Sequence, residues 1–248
     1  MEYQDIEEIA QGSLAIMNPT TIGDVCAAAG PAALSAGDHV LDMGAGNGTV
    51  LAALGRQYGI CGTGIERRRS SCRLAEAAFL DQGLSERLRI ICADAAAMAP
   101  GTPADMVVCL GASSIWGGIP HTLAACAPLL RTGGHLLLGD RYWRHERVQP
   151  EFAREWPDVL TEYELLSVFG ETGYELCGIT RSSERDWDRY ESSIWQSCRA
   201  WIAAHPGDPR TQEVEHYLRD IQAEYLGYGR EHVGWAMYLL SYEAGAAP

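Results

Sequence analysis

The chain has 248 residues, 47% of them hydrophobic, and carries 19 basic against 33 acidic side chains, a formal charge of −14. That length and apolar share suffice for one domain with a substantial core. The acidic balance argues against nucleic-acid binding, which leaves a basic footprint because phosphate contacts need Lys and Arg. Arg67-Arg68-Arg69 is too short a cluster to change this and reads as the solvated start of a helix. Eight cysteines stand singly, with no Cys-x-x-Cys and no Cys/His pairing at metal-ligand spacing, which argues against a metal site and suits a reducing compartment. The N-terminus lacks a basic segment followed by an apolar run, and no stretch approaches 18 apolar residues, so a cytoplasmic protein with no membrane partner is expected.

In chain order, residues 1–37 read as a helical cap: a helix over about 4–16, then an Asn18-Pro19-Thr20 turn. Val40-Leu41-Asp42-Met43 is an apolar strand running into Gly44-Ala45-Gly46-Asn47-Gly48-Thr49 and then a helix carrying Val50, Leu51 and Leu54. Three alternate glycines let the backbone turn sharply and let a ligand lie against it. Gly62-Thr63-Gly64-Ile65-Glu66 is a second strand, ending in an acid able to accept two hydrogen bonds from a ribose diol. The helix after it places Cys72, Ala75, Ala78 and Phe79 at helical spacing. Further strands follow at Leu88–Cys92, leading into Ala93-Asp94-Ala95; at Asp105–Leu110, leading into Gly111-Ala112-Ser113-Ser114; and at His135–Gly139. Strands alternating with helices specify a parallel sheet covered on both faces.

Thr161–Glu164 has the form of a capping box, and Tyr174–Thr180 reads as strand six. Residues 183–232 then supply two amphipathic helices. The first opens on Ser183–Asp186 and carries Trp187, Tyr190, Ile194, Trp195, Cys198, Trp201 and Ile202 on one stripe. The second opens on Asp208-Pro209, with Asp as cap and Pro at the first helical position, and carries Val214, Tyr217, Leu218, Ile221 and Tyr225. They are expected to form a lid over the carboxyl edge of the sheet. Val233–Leu240 is the last strand, within a closing segment 233–248, and 38–182 is the core of a single domain.

A dinucleotide turn requires G-x-G-x-x-G, and its third glycine would fall on Thr49. The spacing here is G-x-G-x-G, which disfavours a nicotinamide-dependent dehydrogenase. Asp42-x-Gly44-x-Gly46-x-Gly48 resembles motif I of the class I S-adenosylmethionine-dependent methyltransferases, and Glu66, Asp94 and the Arg131–Gly134 approach to strand five follow in that family's order. The whole chain resembles a bacterial small-molecule subfamily. The shared elements are Asn18-Pro19, Gly111–Gly118, Tyr142-Trp143, Trp187–Glu191 and Tyr228-Gly229-Arg230-Glu231. The resemblance implies a doubly wound, Rossmann-like seven-stranded α/β sheet of order 3-2-1-4-5-7-6 with the last strand antiparallel. It also implies S-adenosylmethionine as cofactor, S-adenosylhomocysteine as product, and cofactor contacts from Asp42, Gly44, Ala45, Gly46, Asn47, Gly48, Glu66, Asp94, Ala95 and Leu110. A non-catalytic S-adenosylmethionine-binding regulator is the alternative.

Ligands of open α/β sheets lie beyond the carboxyl ends of the strands. This selects Asp140 and Tyr142, expected in the loop after strand five, as candidates for orienting substrate or accepting a proton, with His121 as a possible base. Trp116 and Trp143, also in strand-end loops, are expected to face a ligand. The resemblance adds Glu191, Tyr228 and Arg230 on the substrate side. The acceptor is expected to be a small molecule, aromatic or cationic, methylated on N, O, S or C, and the protein a monomer or homodimer. No Asn/Asp-Pro-Pro-Tyr element follows strand four, as it does in DNA amino-methyltransferases of this fold.

Overall fold

The computed structural model of the chain describes residues 3–99 and 101–243. Its centre is a sheet of order β3-β2-β1-β4-β5-β7-β6. The strands are β1 (His39–Met43), β2 (Cys61–Glu66), β3 (Leu88–Cys92), β4 (Ala104–Leu110), β5 (Leu130–Trp143), β6 (Tyr174–Arg181) and β7 (Val233–Tyr242). β1 to β5 pair in parallel, and β7 runs antiparallel between β5 and β6.

Side chains alternate across the sheet. Val40, Met106, Val108 and Leu137 join one core with Val25 of α2 (Ile22–Ala29), Leu51 and Leu54 of α3 (Thr49–Tyr58) and Phe79 of α4 (Arg69–Asp81). Val107, Leu136 and Leu138 join the other with Leu123 of α5 (Ile119–Cys126) and Leu165 and Phe169 of α7 (Glu162–Glu171). Each such buried side chain stabilises the fold by ~1.5–3 kcal/mol. The short α6 (Pro150–Glu155) lies between β5 and α7.

α1 (Tyr3–Gln11) packs against α8 (Glu184–Ala204), and Ala10, Ile194 and Cys198 share a third core with Val214 and Leu218 of α9 (Thr211–Glu224). The capping boxes at Thr161/Glu164 and Ser183/Asp186 both form. α9 begins two residues later than Asp208-Pro209 suggests. The Asp208 carboxylate accepts from Arg210 N at 2.8 Å, and Thr211 N donates to Asp208 O, so these residues make a turn that delivers the chain to the helix. A π-helical turn at Tyr225–Gly229 follows α9. No helix among the described residues is long and apolar enough to cross a membrane.

β5 departs most from the sequence reading. It continues past Gly139 because β7 pairs with it throughout, from His135↔Ser241 to Trp143↔Val233. Asp140 and Tyr142 are therefore strand residues, not loop residues.

Candidate functional site

β1 ends in a turn folded back on the tip of β2: Gly44 N and Ala45 N both donate to Ile65 O, at 2.9 and 3.0 Å. Gly44 has φ +78° and would carry a Cβ 2.8 Å from the Cβ of Ala112; Gly48 has φ +74° and would carry one 2.8 Å from Ala75 and Phe79. Any side chain there would push the turn off β4 and α3 off α4. In front of the turn lies a cavity of about 370 Å³, lined by Asp42, Gly44, Ala45, Gly46, Asn47, Glu66, Asp94, Ala95 and Leu110. Gly48 stands behind it as the residue that opens α3.

The acids of the cavity are held differently. Asp42 is 4% exposed, and its Oδ2 is buried with no hydrogen-bond partner. Burial, reinforced by the Glu66 carboxylate, pushes its carboxyl up to about 7. Glu66 is engaged on both oxygens: Oε2 accepts from Gly46 N at 3.0 Å, and Oε1 accepts from Arg68 N at 2.8 Å and Arg68 Nε at 3.2 Å. It therefore ties the glycine turn to β2 while still presenting lone pairs to the cavity. Asp94 caps the turn Ala95–Ala97 by accepting from Ala96 N at 2.9 Å.

The roof comes from the N-terminal segment. Gln11 and Ala15 to Asn18 line the cavity, clasped by Asn47 Nδ2 donating to Leu14 O at 2.9 Å and Asn18 Nδ2 donating to Leu110 O at 3.2 Å. Arg68 is not a merely solvated helix start. It lines the cavity, pairs with Glu66 and reaches Met17 Sδ at 3.3 Å. Asn18 carried a signal in its Asn-Pro turn; Met17 and Arg68 carried none, because their role exists only once residue 17 is folded over residue 46.

The structure does not bring Asp140, Tyr142 or His121 to this cavity. Asp140 accepts from its neighbour Arg141 N at 2.7 Å. Tyr142 is 7% exposed in the core beneath α5 and α7, its ring filling the space left by Gly234, and burial followed by the Glu162 charge raises its phenol. His121 lies exposed on α5 with Nδ1 3.3 Å from Gly117 O. Trp116 packs on the α5 side of the core, and Trp143 stacks on Trp156 at 5.8 Å. The extension of β5 explains these placements: alternation along the strand sends Asp140 and Tyr142 to the face of Leu136 and Leu138.

Residues 40–134 match the family described as a methyltransferase domain. An S-adenosylmethionine-dependent methyltransferase from Geobacter sulfurreducens, solved with S-adenosylhomocysteine, is 32% identical and superposes with a TM-score of 0.90 over 96% of this chain and 98% of that one. A second, from Thiobacillus denitrificans and also solved with S-adenosylhomocysteine, is 30% identical with a TM-score of 0.90, covering 98% and 100%. The uncharacterised protein YjhP of Escherichia coli K12 is 31% identical over 97% of this chain and 99% of its own. The chain belongs to the S-adenosylmethionine-dependent methyltransferases.

In this methyltransferase the helices between β6 and β7 hold a second polar feature. Glu191 lies half-buried on the inner side of α8, and burial, then the neighbouring Glu224 carboxylate, pushes its carboxyl up to about 7. Trp187 on the same helix stacks on Tyr225 at 6.2 Å and meets Tyr190 edge-on at 6.3 Å, and Trp195 meets Tyr225 edge-on at 6.1 Å. The indole N–H of Trp187 is buried and unpartnered, and that of Trp195 lies beside the Glu191 carboxylate. Ile16, from the roof of the cavity, packs against the hydrophobic core that also includes Trp187 and Tyr225. Tyr228 stacks on Phe152 at 3.8 Å, whereas Arg230 turns outward to Asp188 and Glu184, pinning the π-helical turn to α8.

Proposed function

We propose that this methyltransferase moves the S-methyl group of S-adenosylmethionine to a small molecule bearing a basic nitrogen, held under the α8–α9 helices. The observation that carries the reading is Asp42, which lines the cavity beside the glycine turn and whose Oδ2 is a buried acceptor without a partner. A buried carboxyl left in that state is costly unless a ligand supplies the missing donor. The α-ammonium of the cofactor is such a donor, and a cation there restores the ionised form that burial disfavours. Gly44 to Gly48 would lie under the methionine part, Glu66 would offer its remaining lone pairs to the ribose hydroxyls, and Asp94 and Ala95 would flank the adenine.

Bound S-adenosylmethionine supplies a methyl group on a positively charged sulfur, ready for in-line displacement. What the chain must add is alignment, which accounts for ~7–11 kcal/mol of barrier reduction when two reactants are held in place. The clasped segment from Leu14 to Asn18 covers one side of the cavity. Glu191 supports the acceptor reading. Its carboxyl, with Glu224 nearby and aromatic walls around, suits a cation through charge and cation–π attraction. Sitting near neutrality, it is also matched to take the proton that a basic nitrogen must lose before it attacks.

The test is mass spectrometry of a bacterial metabolite pool incubated with enzyme and methyl-deuterated S-adenosylmethionine. A labelled small product whose precursor is an amine is expected. Label found only in protein or nucleic acid would overturn the small-molecule reading, and label on an oxygen, sulfur or carbon acceptor would overturn the nitrogen assignment.

A further inference from the structure

Two cysteines of the described residues are exposed, Cys92 and Cys177, and Cys92 has a second thiol beside it. Cys92 is the last residue of β3 and pairs with Glu66 across the β2–β3 ladder. Leu88, Ile90 and Cys92 alternate onto the face that α4 covers. On α4 the inner stripe is Cys72, Ala75 and Phe79, so Cys72, in the first turn, is carried over the end of β3. Both sulfurs rest on adjoining carbonyls of one connection: Cys72 Sγ donates to Glu66 O at 3.2 Å and Cys92 Sγ to Arg67 O at 3.8 Å.

The two thiols differ in character. Cys72 is buried, and burial, with the Cys92 thiol next to it, pushes it up to about 12. Cys92 is open to solvent and is the thiol a dissolved oxidant meets first. Cys109 and Cys126, by contrast, are both sealed in the core.

We propose that Cys72 and Cys92 are a redox-active dithiol that closes to a disulfide under hydroperoxide and thereby weakens cofactor binding. Cys92, as thiolate, attacks the peroxide O–O bond and takes one oxygen, becoming a sulfenic acid while the other oxygen leaves as an alcohol or water. Cys72 then attacks the sulfenic sulfur; the S–S bond forms, the S–O bond breaks, and the oxygen departs as water with the Cys72 proton. The dithiol loses two electrons and two protons and the peroxide is reduced by two electrons; a small dithiol reverses the step by exchange.

The bond would join two stretches that line the cavity. Glu66 to Arg68 lie just before Cys72, and Ala93 to Ala95 lie just after Cys92. Drawing the first turn of α4 onto the end of β3 removes Cys72 from Glu66 O and displaces the two acids, Glu66 and Asp94, that flank the adenosine end. The effect on affinity rests on the cofactor assignment above; the disulfide itself does not.

The experiment uses the full chain with Cys177→Ser, so that the other exposed thiol does not respond. The protein is treated with hydrogen peroxide and divided for peptide mapping and for calorimetric titration with S-adenosylhomocysteine. A Cys72–Cys92 linked peptide is expected, reversed by dithiothreitol, with Cys109 and Cys126 still alkylatable after unfolding. Affinity should fall about fivefold or more, the loss of roughly one hydrogen bond. Cys92→Ser and, separately, Cys72→Ala should each abolish both responses. Over-oxidised Cys92 without the linkage, a linkage that leaves affinity unchanged, or a loss of affinity that persists in Cys92→Ser would each overturn the proposal. Failure of the reduced protein to bind would instead refute the cofactor assignment, while the peptide map would still decide the disulfide.

Discussion

Replacing Asp42 with Asn removes one charge from the most enclosed acid in the cavity, and its consequences for binding and stability have opposite signs. In the free protein the carboxyl is raised to about 7 by burial and by Glu66. If the cofactor's ammonium pairs with the ionised form, binding must first expel the proton wherever pH lies below 7. Affinity then falls toward tenfold per pH unit, and from pH 7 to pH 5 it falls roughly fiftyfold, about 2 kcal/mol. Titration calorimetry with S-adenosylhomocysteine in buffers of different ionisation enthalpy should show close to one proton released per cofactor at pH 5. Asp42→Asn should bind more weakly at pH 7 and lose most of this pH dependence.

The stability effect follows from the same shift. Because the folded pKa lies above the ordinary 3.8, the folded state binds the extra proton. Stability that is fully present below pH 3.8 is therefore lost as pH rises through 7. The full loss is about 4 kcal/mol, and at about 2–4 °C per kcal/mol for a chain of this size, cofactor-free Asp42→Asn should melt several degrees above the parent at pH 8. Affinity that is flat from pH 5 to 7 in the parent, or a variant no more stable than the parent at pH 8, would refute the reasoning.

Other residues give equally direct expectations. Glu66→Ala removes a charged acceptor that holds Gly46 N and faces the cavity, so S-adenosylhomocysteine affinity should drop by about tenfold or more; unchanged affinity in calorimetry would show that Glu66 serves the turn alone. Gly48→Ala places a Cβ 2.8 Å from Ala75 and Phe79 at φ +74°, and thermal unfolding should register a loss of about 2 kcal/mol or more. With S-adenosylmethionine saturating, kcat/KM for a basic acceptor should rise with pH through about 7 as Glu191 ionises. Glu191→Gln should flatten that rise and raise KM more than it lowers kcat; a profile identical to the parent's would remove Glu191 from the acceptor site.

The cofactor half of the molecule was legible because its chemistry is local. Asp42, the glycines and Glu66 occupy strand tips whose spacing along the chain fixes their spacing in the sheet, and the antiparallel place of β7 came with the family resemblance. Backbone geometry at Gly44 and Gly48 is likewise a property of a few consecutive residues.

The rest was less legible because it is set by pairings between distant segments. Nothing near Gly139 shows that β5 continues; that is decided by Val233–Met237, almost a hundred residues later, whose ladder turns Asp140 and Tyr142 away from the cavity. Arg68 reads as a solvated charge until Met17 is folded over it. Glu191 entered only through the family resemblance, since Glu224 approaches it only in the fold, and Cys72 and Cys92 read as two isolated thiols until α4 lies across β3. The sequence alone determined the strands and the chemistry at their tips, because period and turn residues act over a few positions, while their order in the sheet came with the family resemblance. Only the tertiary structure decided which side chains share a cavity, a charge field or a sulfur contact, because those depend on packing between elements that have no fixed separation along the chain.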